Sequence, residues 1–172
     1  MVTLKKTQFL SLTLLQTIIT FGLVHSMATP KHKRILVTGA NKGIGKAICT
    51  KLLREHPDVH VIIGSRDKER GEKTMQDLKS QIDGCDKRLE TVQIDVASDE
   101  SVSMAAEKLS VGGELYGIVN NAGISRNMFH ETINVNYFGI RRVNDAFRAY
   151  LKQPGGRIVN IASASGPLFV AS

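Results

Sequence analysis

The sequence predicts an α/β domain built on a doubly wound parallel sheet, and three features point to it. Five short apolar runs recur at 34–38, 59–63, 89–94, 115–120 and 157–161. Stretches with apolar residues at helical spacing separate the runs, so each strand is expected to be covered on both faces. The first run ends in a turn holding three glycines, VTGANKGIG. That is the usual junction between a strand and a ligand-binding helix in such sheets.

Each element follows from its residues. RILVT at 34–38 is apolar on both faces and too short to read as a helix. Ile44, Ile48 and Leu52 then fall four residues apart, which predicts the first helix. The second strand, VHVII at 59–63, is followed by Met75, Leu78 and Ile82 at helical spacing. The third, LETVQI at 89–94, leads to Val102, Ala105, Ala106 and Leu109. The fourth, LYGIVN at 115–120, precedes a helix expected to carry Ile140, Val143, Phe147 and Leu151 on one face. RIVNI at 157–161 is the fifth strand. Right-handed crossovers between parallel strands place the helices on both faces of the sheet. Ligands are then expected at the carboxyl ends of the strands, near the point where strand order reverses.

The 172 residues suffice for one domain with a proper core and leave little room for a second. Hydrophobic and charged contents of 42% and 23% are those of ordinary globular chains. The net charge of +7 invites a nucleic-acid reading, but Lys5 and Lys6 lie in an acid-free leader, which leaves +5 for the rest. Much of that remainder alternates with acids, as in Arg66, Asp67, Lys68, Glu69 and Arg70, the pattern of a solvated helix face. No nucleic-acid partner is expected. Residues 1–28 are read as a signal- or transit-like leader, with the dinucleotide-binding domain over 29–172. The apolar stretch at 9–24 is interrupted by Ser11, Thr13, Gln16, Thr17 and Thr20, a poor membrane span where about 20 apolar residues are needed. Met27 offers an alternative start. Translation from it implies a cytoplasmic protein, whereas a genuine leader implies the secretory pathway or an organelle. Cys49 and Cys85 form neither a disulfide framework nor a metal motif, so no metal is expected. The oligomeric state stays open.

Gly39, Gly43 and Gly45 stand between a strand and a helix, with Thr38, Asn41, Lys42 and Ile44 beside them. Glycines there permit a tight turn and let backbone N–H groups approach a pyrophosphate at the helix N-terminus. A nucleoside-triphosphate loop is the sharpest competitor, because Gly45 and Lys46 resemble its glycine–lysine pair. That loop needs glycine at 40 and a hydroxyl at 47, and both positions are alanine. A dinucleotide fits better.

VTGANKGIG, Asp95 with Val96 after the third strand, NNAG at 120–123, NVNYFG at 134–139 and GRIVNIASASG at 156–166 together resemble the short-chain dehydrogenase/reductase family in order and position. The resemblance covers 34–166, and the wording Asn41, Lys42, Gly43 is most similar to its carbonyl reductase branch. It implies a Rossmann-like fold, an oxidoreductase activity and a small carbonyl substrate such as an aldehyde, ketone or quinone. It further implies that Asp95 bonds the adenine amino group and Val96 packs its ring. A helix-capping carboxylate would look the same at 95. Asn121, Ala122 and Gly123 are small, either to leave room for a ligand across the strand end or simply to make a tight turn. Asn136 corresponds to the family's asparagine that holds a water in the proton relay, although a polar residue satisfying backbone within the helix is the plainer alternative. Ser163 corresponds to the serine that bonds the substrate carbonyl, with Ser165 as a structural neighbour.

The choice of cofactor rests on the end of the second strand. An NAD site carries an acid about 20 residues past the glycines to hold the ribose 2′-hydroxyl. Here the residues are Ile63, Gly64, Ser65 and Arg66, which suit a 2′-phosphate instead, and Lys42 adds a second positive charge. NADP(H) is therefore expected, with Asp67 one residue away as the contrary signal.

In the family a Tyr-x-x-x-Lys pair on the helix after the serine strand delivers the proton. The lysine lowers the tyrosine pKa from about 10 toward working pH. Tyr116, Tyr137 and Tyr150 all precede Ser163, and Tyr137 with Arg141 is a superficial imitation on an earlier helix. By the resemblance the pair falls beyond Ser172, and the sheet is incomplete on its C-terminal side. The chain is thus expected to be a truncated NADP-dependent carbonyl or alcohol oxidoreductase of doubtful activity by itself. The alternatives are a non-catalytic dinucleotide-binding module with a regulatory or partner-binding role, and a nucleotide-binding protein of other chemistry.

Overall fold

In the computed structural model, which describes residues 32–125 and 129–163, the strands and helices alternate as the periodicity predicts. The leader at 1–28, its Met27 and the neighbouring Ser165 lie outside the described residues. β1 (Lys33–Thr38), α1 (Gly43–Glu55), β2 (Val59–Ser65), α2 (Lys68–Gln81), β3 (Leu89–Gln93) and α3 (Asp99–Ser110) form the first half. β4 (Gly117–Asn120), α4 (Phe129–Ile133), a π-helical turn (Asn134–Phe138), α5 (Gly139–Phe147) and β5 (Arg157–Asn160) follow.

The five strands are all parallel, in the order β3-β2-β1-β4-β5. Strand order reverses between β1 and β4, so the architecture is doubly wound and Rossmann-like. Alternate residues of each strand enter opposite cores, as a period of two requires. Leu36, Ile62, Val92 and Ile118 pack against Val102, Leu109, Val143 and Phe147 of α3 and α5. Val37, Val61 and Ile63 pack against Cys49, Leu53 and Leu78 of α1 and α2. Burial pushes the Cys49 thiol up to about 12 and also raises Cys85, so neither is a ready nucleophile.

Three details depart from the sequence pattern. On α1 the buried line is Gly45, Cys49 and Leu53, one residue on from Ile44, Ile48 and Leu52, and Ile44 is 65% exposed. The helix is rotated because Gly45, the residue without a side chain, is the one pressed against the turn after β1. The fourth helical stretch is broken into α4, the π turn and α5, and α5 stops at Phe147. Leu151 leaves the helix through a 3₁₀ turn and bridges Leu115 in parallel, still buried but no longer on the helix face. β5 is the edge strand among the described residues, with Ile158 and Val159 exposed.

Arg34 ties together the amino ends of the sheet. Its guanidinium is almost fully buried and donates to the carbonyls of Leu109 in the last turn of α3 and of Gly113 beyond it, and to Glu90 Oε1 on β3 at 3.1 Å. His60 Nε2 on β2 lies 3.3 Å from the same oxygen. His60, and then Arg34, hold the Glu90 carboxyl below the usual carboxylate range despite its partial burial. A depressed folded pKa contributes stability that is present above the unfolded value of about 4.3 and is lost as pH falls through the folded value. Glu90→Gln is therefore expected to cost about 1–2 kcal/mol at pH 7, discounted for Glu90's partial exposure. It should also flatten the stability profile below about pH 4.3, where the carboxylate of the unfolded chain takes up its proton. Urea unfolding of both proteins from pH 7 to pH 3 measures this. Parallel pH profiles for the two would refute it.

Candidate functional site

The carboxyl ends of β1, β2, β3 and β4 open into one groove of ≈ 560 Å³. The turn after β1 supplies Gly39, Asn41, Lys42, Gly43 and Ile44, and β2 with the start of α2 supplies Ser65, Arg66, Asp67 and Arg70. Ile94, Asp95 and Val96 follow β3, and Asn121, Ala122, Gly123 and Ile124 follow β4. Segments as far apart as 39 and 124 converge because parallel strands deliver all their C-termini to one edge of the sheet.

The glycine turn owes its shape to two close approaches. Gly39 has φ +64°, and a Cβ on it would stand 2.8 Å from the Cα of Ala122. Gly45 has an ordinary φ, but its Cβ would meet Asn121 Nδ2 at 2.5 Å, the Gly39 carbonyl at 2.6 Å and the Ala40 Cα at 2.9 Å. From the sequence, Gly45 is expected to leave room for the pyrophosphate's approach. The structure gives it to the approach of α1 to the ends of β1 and β4. Gly43 has φ +55° with nothing within 4 Å, so it is the glycine that faces open space.

Thr38 stands behind the groove wall, 1% exposed. Its Oγ1 accepts from the Asn121 N–H at 3.0 Å and the Ala122 N–H at 3.1 Å. Asn121 Nδ2 donates back to the carbonyls of Thr38 and Gly39. These bonds clamp the ends of β1 and β4 together and fix the width of the groove.

Its electrostatics are set by helix ends and cations. α2 is capped by Asp67, whose Oδ1 accepts from the Arg70 N–H, and α3 by Ser98. α1 starts after Lys42 with no side-chain cap and no acid in its first turn. Its N–H groups and the positive end of its dipole are left for an anion from outside the chain. Lys42, Arg66 and Arg70 line the same wall. Asp67, the contrary signal in the sequence, is committed: it caps α2 and its Oδ2 pairs with Arg70 Nε at 3.2 Å. Arg70 itself went unremarked in the sequence beyond its place in an alternating charge run. Its position one turn into α2 was the available clue.

Asp95 also does what a capping carboxylate does, accepting from the Ala97 N–H at 3.0 Å, while remaining on the groove. Asn136 does not line the groove but clamps it. Its Oδ1 accepts from the Ile124 N–H and its Nδ2 donates to the Ile124 carbonyl, both at 2.9 Å. Asn136 sits in the middle of the π turn, a distortion frequent at functional sites. A Cβ on Gly123 would stand in ordinary contact with Asn136 Oδ1, at 3.4 Å, so the two turns lie side by side. Ser163 is exposed, three residues past β5. β5 is held to β4 beneath it by Asn120, which donates through Nδ2 to Asn144 and Asn160, each at 2.9 Å.

The residues present fit a dinucleotide: an open glycine face, an uncapped helix start, cations at the β2 end and a groove spanning the switch point. Among the described residues no helix is long and apolar enough to cross a membrane. No cluster of His, Cys, Asp or Glu there could hold a metal ion.

A doubly wound parallel sheet with a groove at its switch point defines the class. The chain belongs to the short-chain dehydrogenase family, whose pattern it matches over residues 33–172. It is 33% identical over 171 residues to a (+)-neomenthol dehydrogenase of Arabidopsis thaliana, with 83% of this chain and 57% of that protein covered. It is 38% identical over 138 residues to carbonyl reductase [NADPH] 1 of Mus musculus, covering 74% and 48%. Among solved structures, an alcohol dehydrogenase from Thermococcus sibiricus complexed with 5-hydroxy-NADP superposes with a TM-score of 0.64. That pair is 31% identical, with 75% of this chain and 57% of the other covered. The relatives are oxidoreductases, and the chain spans about half the length of the curated relatives it matches.

Proposed function

We propose that this protein binds NADP(H) in the groove at the strand ends and is part of an oxidoreductase that reduces the carbonyl group of small aldehydes, ketones or quinones. The observation that carries the reading is the β2 end of the groove. Lys42, Arg66 and Arg70 line it, and Asp67, the acid that follows Arg66, is bonded to the α2 N-terminus and to Arg70. A ribose 2′-phosphate would meet cations there, whereas a bare 2′-hydroxyl would find no free carboxylate. The NADPH in the name of the mouse relative and the NADP derivative in the archaeal structure agree with this reading.

In this reading the α1 N-terminus and Gly43 hold the pyrophosphate, and Asp95 and Val96 hold the adenine. Ala122 and Gly123 leave the strand end clear for the nicotinamide ribose. When bound, the cofactor supplies the hydride for carbonyl reduction. Ser163 would hydrogen-bond the substrate oxygen, and Asn136, fixed by both its bonds to Ile124, would hold a water of the proton relay. The proton donor is assigned to a Tyr-x-x-x-Lys pair, which the 172 residues do not contain after Ser163.

NADPH is expected to bind the 172-residue chain more tightly than NADH, and Arg66→Ala to narrow the difference by roughly 1.5–3 kcal/mol, the value of one charge-assisted phosphate contact. Isothermal titration of both cofactors against both proteins is the measurement. Equal affinities in the unaltered chain would overturn the assignment of NADP.

A further inference from the structure

We propose that Arg142 is a positioning residue, one that holds the turn at Asp95 and Val96 and the π turn bearing Asn136 as a single unit. Arg142 lies on α5, and its side chain is only 21% exposed. The guanidinium reaches in two directions. Toward α3 its Nε pairs with Asp99 Oδ1 at 2.8 Å, and its Nη1 donates to the Val96 carbonyl at 3.4 Å. Toward the π turn its Nη1 donates to the Asn134 carbonyl at 3.2 Å and its Nη2 to Asn134 Oδ1 at 2.8 Å.

The geometry at this junction is tight. The start of α5 has no side-chain cap, and a Cβ on Gly139 would stand 2.9 Å from Val96 Cγ2, so helix and turn touch directly. A π turn departs from the regular α-helical ladder, and its backbone groups must still be satisfied. Arg142 satisfies one of them, the Asn134 carbonyl, and fixes that residue's side chain as well. Asn136, two residues on, then makes its double bond to Ile124. Hydrogen bonds thus run from the Val96 carbonyl through Arg142 to Asn134, and the backbone of the π turn carries the connection on to Asn136. Asp99 is 84% exposed, so its ion pair alone contributes little. The bonds to Val96 and Asn134 are what join the two turns, and they need a planar fork that lysine does not have.

The consequence rests on the proposed cofactor reading in one respect. If adenine occupies the Val96 end of the groove, its binding steadies Asn136 from a distance. Amide hydrogen exchange on the 172-residue chain separates the two claims. Without ligand, both Arg142→Met and Arg142→Lys are expected to speed exchange of the Ile124 amide about tenfold while leaving the core amide of Ile62 unchanged. An unchanged Ile124 amide, or an equal rise at Ile62, overturns the positioning role. Saturating adenosine 2′,5′-bisphosphate, which can fill only the adenine end, is expected to slow Ile124 exchange in the unaltered chain by about threefold and to have no such effect in Arg142→Met. Equal slowing in both overturns the link. If the probe does not bind at all, it is the cofactor reading that fails, and the ligand-free comparison still decides the role of Arg142.

Discussion

Gly45→Val is expected to abolish dinucleotide binding and to destabilise the fold by about 2–4 kcal/mol. The added carbons would enter space already held by Asn121 Nδ2, the Gly39 carbonyl and the Ala40 Cα, all closer than 3.0 Å to an ideal Cβ. None of the three can retreat cheaply. Asn121 is bonded to Thr38 and Gly39, and the other two are backbone of the turn itself. Either α1 moves off the sheet or the turn opens, and both displace the helix N-terminus from the groove. Gly43→Ala makes the contrast. It has open space but a left-handed φ, so about 1–2 kcal/mol of strain and a retained fold are expected. Urea unfolding and calorimetric titration with NADPH distinguish the two variants. Normal folding and binding by Gly45→Val would show that the turn has been misread.

Carbonyl reduction by the 172-residue chain is expected to be unmeasurable even where NADPH binds. Ser163 can bond a carbonyl oxygen and Asn136 can hold a water, but neither delivers a proton as a tyrosine activated by a neighbouring lysine does. General acid catalysis is worth about 10²–10⁴-fold. A form extended past Ser172 by a segment carrying Tyr-x-x-x-Lys is expected to turn over, and Ser163→Ala in that form to lower kcat steeply. NADPH oxidation against a panel of quinones, aldehydes and ketones provides the assay. Turnover by the 172-residue chain that disappears on Ser163→Ala would refute the assignment of the proton donor.

Most of the groove was legible in the sequence because its residues sit in short motifs at strand ends. Asn41 to Ile44, Asp95, Val96 and Asn121 to Gly123 each lie just past an apolar run, so locating the strands located the wall. The two alternatives left open for Asp95 and Asn136 have a physical answer. Both side chains satisfy backbone groups, Ala97 N–H in one case and Ile124 in the other, and both do so at the edge of the groove. A capping role and a place at the site are compatible. The π turn was not legible, because periodicity over 129–147 cannot register one extra residue per turn. Arg142 was hidden for a different reason: its partners Val96, Asp99 and Asn134 meet only when α3 and α5 pack together.

The sequence by itself determined the alternation of strands and helices, the parallel sheet and the edge on which a ligand would lie. These follow from local hydrophobic period and chain connectivity, which every segment carries within itself. Only the tertiary structure decided which line of α1 faces the sheet, that Gly45 serves packing while Gly43 faces the groove, and that Thr38 stands behind the wall. It also decided that Asp67 is bonded to the α2 N-terminus and to Arg70, and so is turned away from Lys42 and Arg66. Each of these depends on contacts between segments far apart in the chain, or on a cap geometry that composition does not specify, and side-chain volumes at those contacts select one docking among several that the pattern allows.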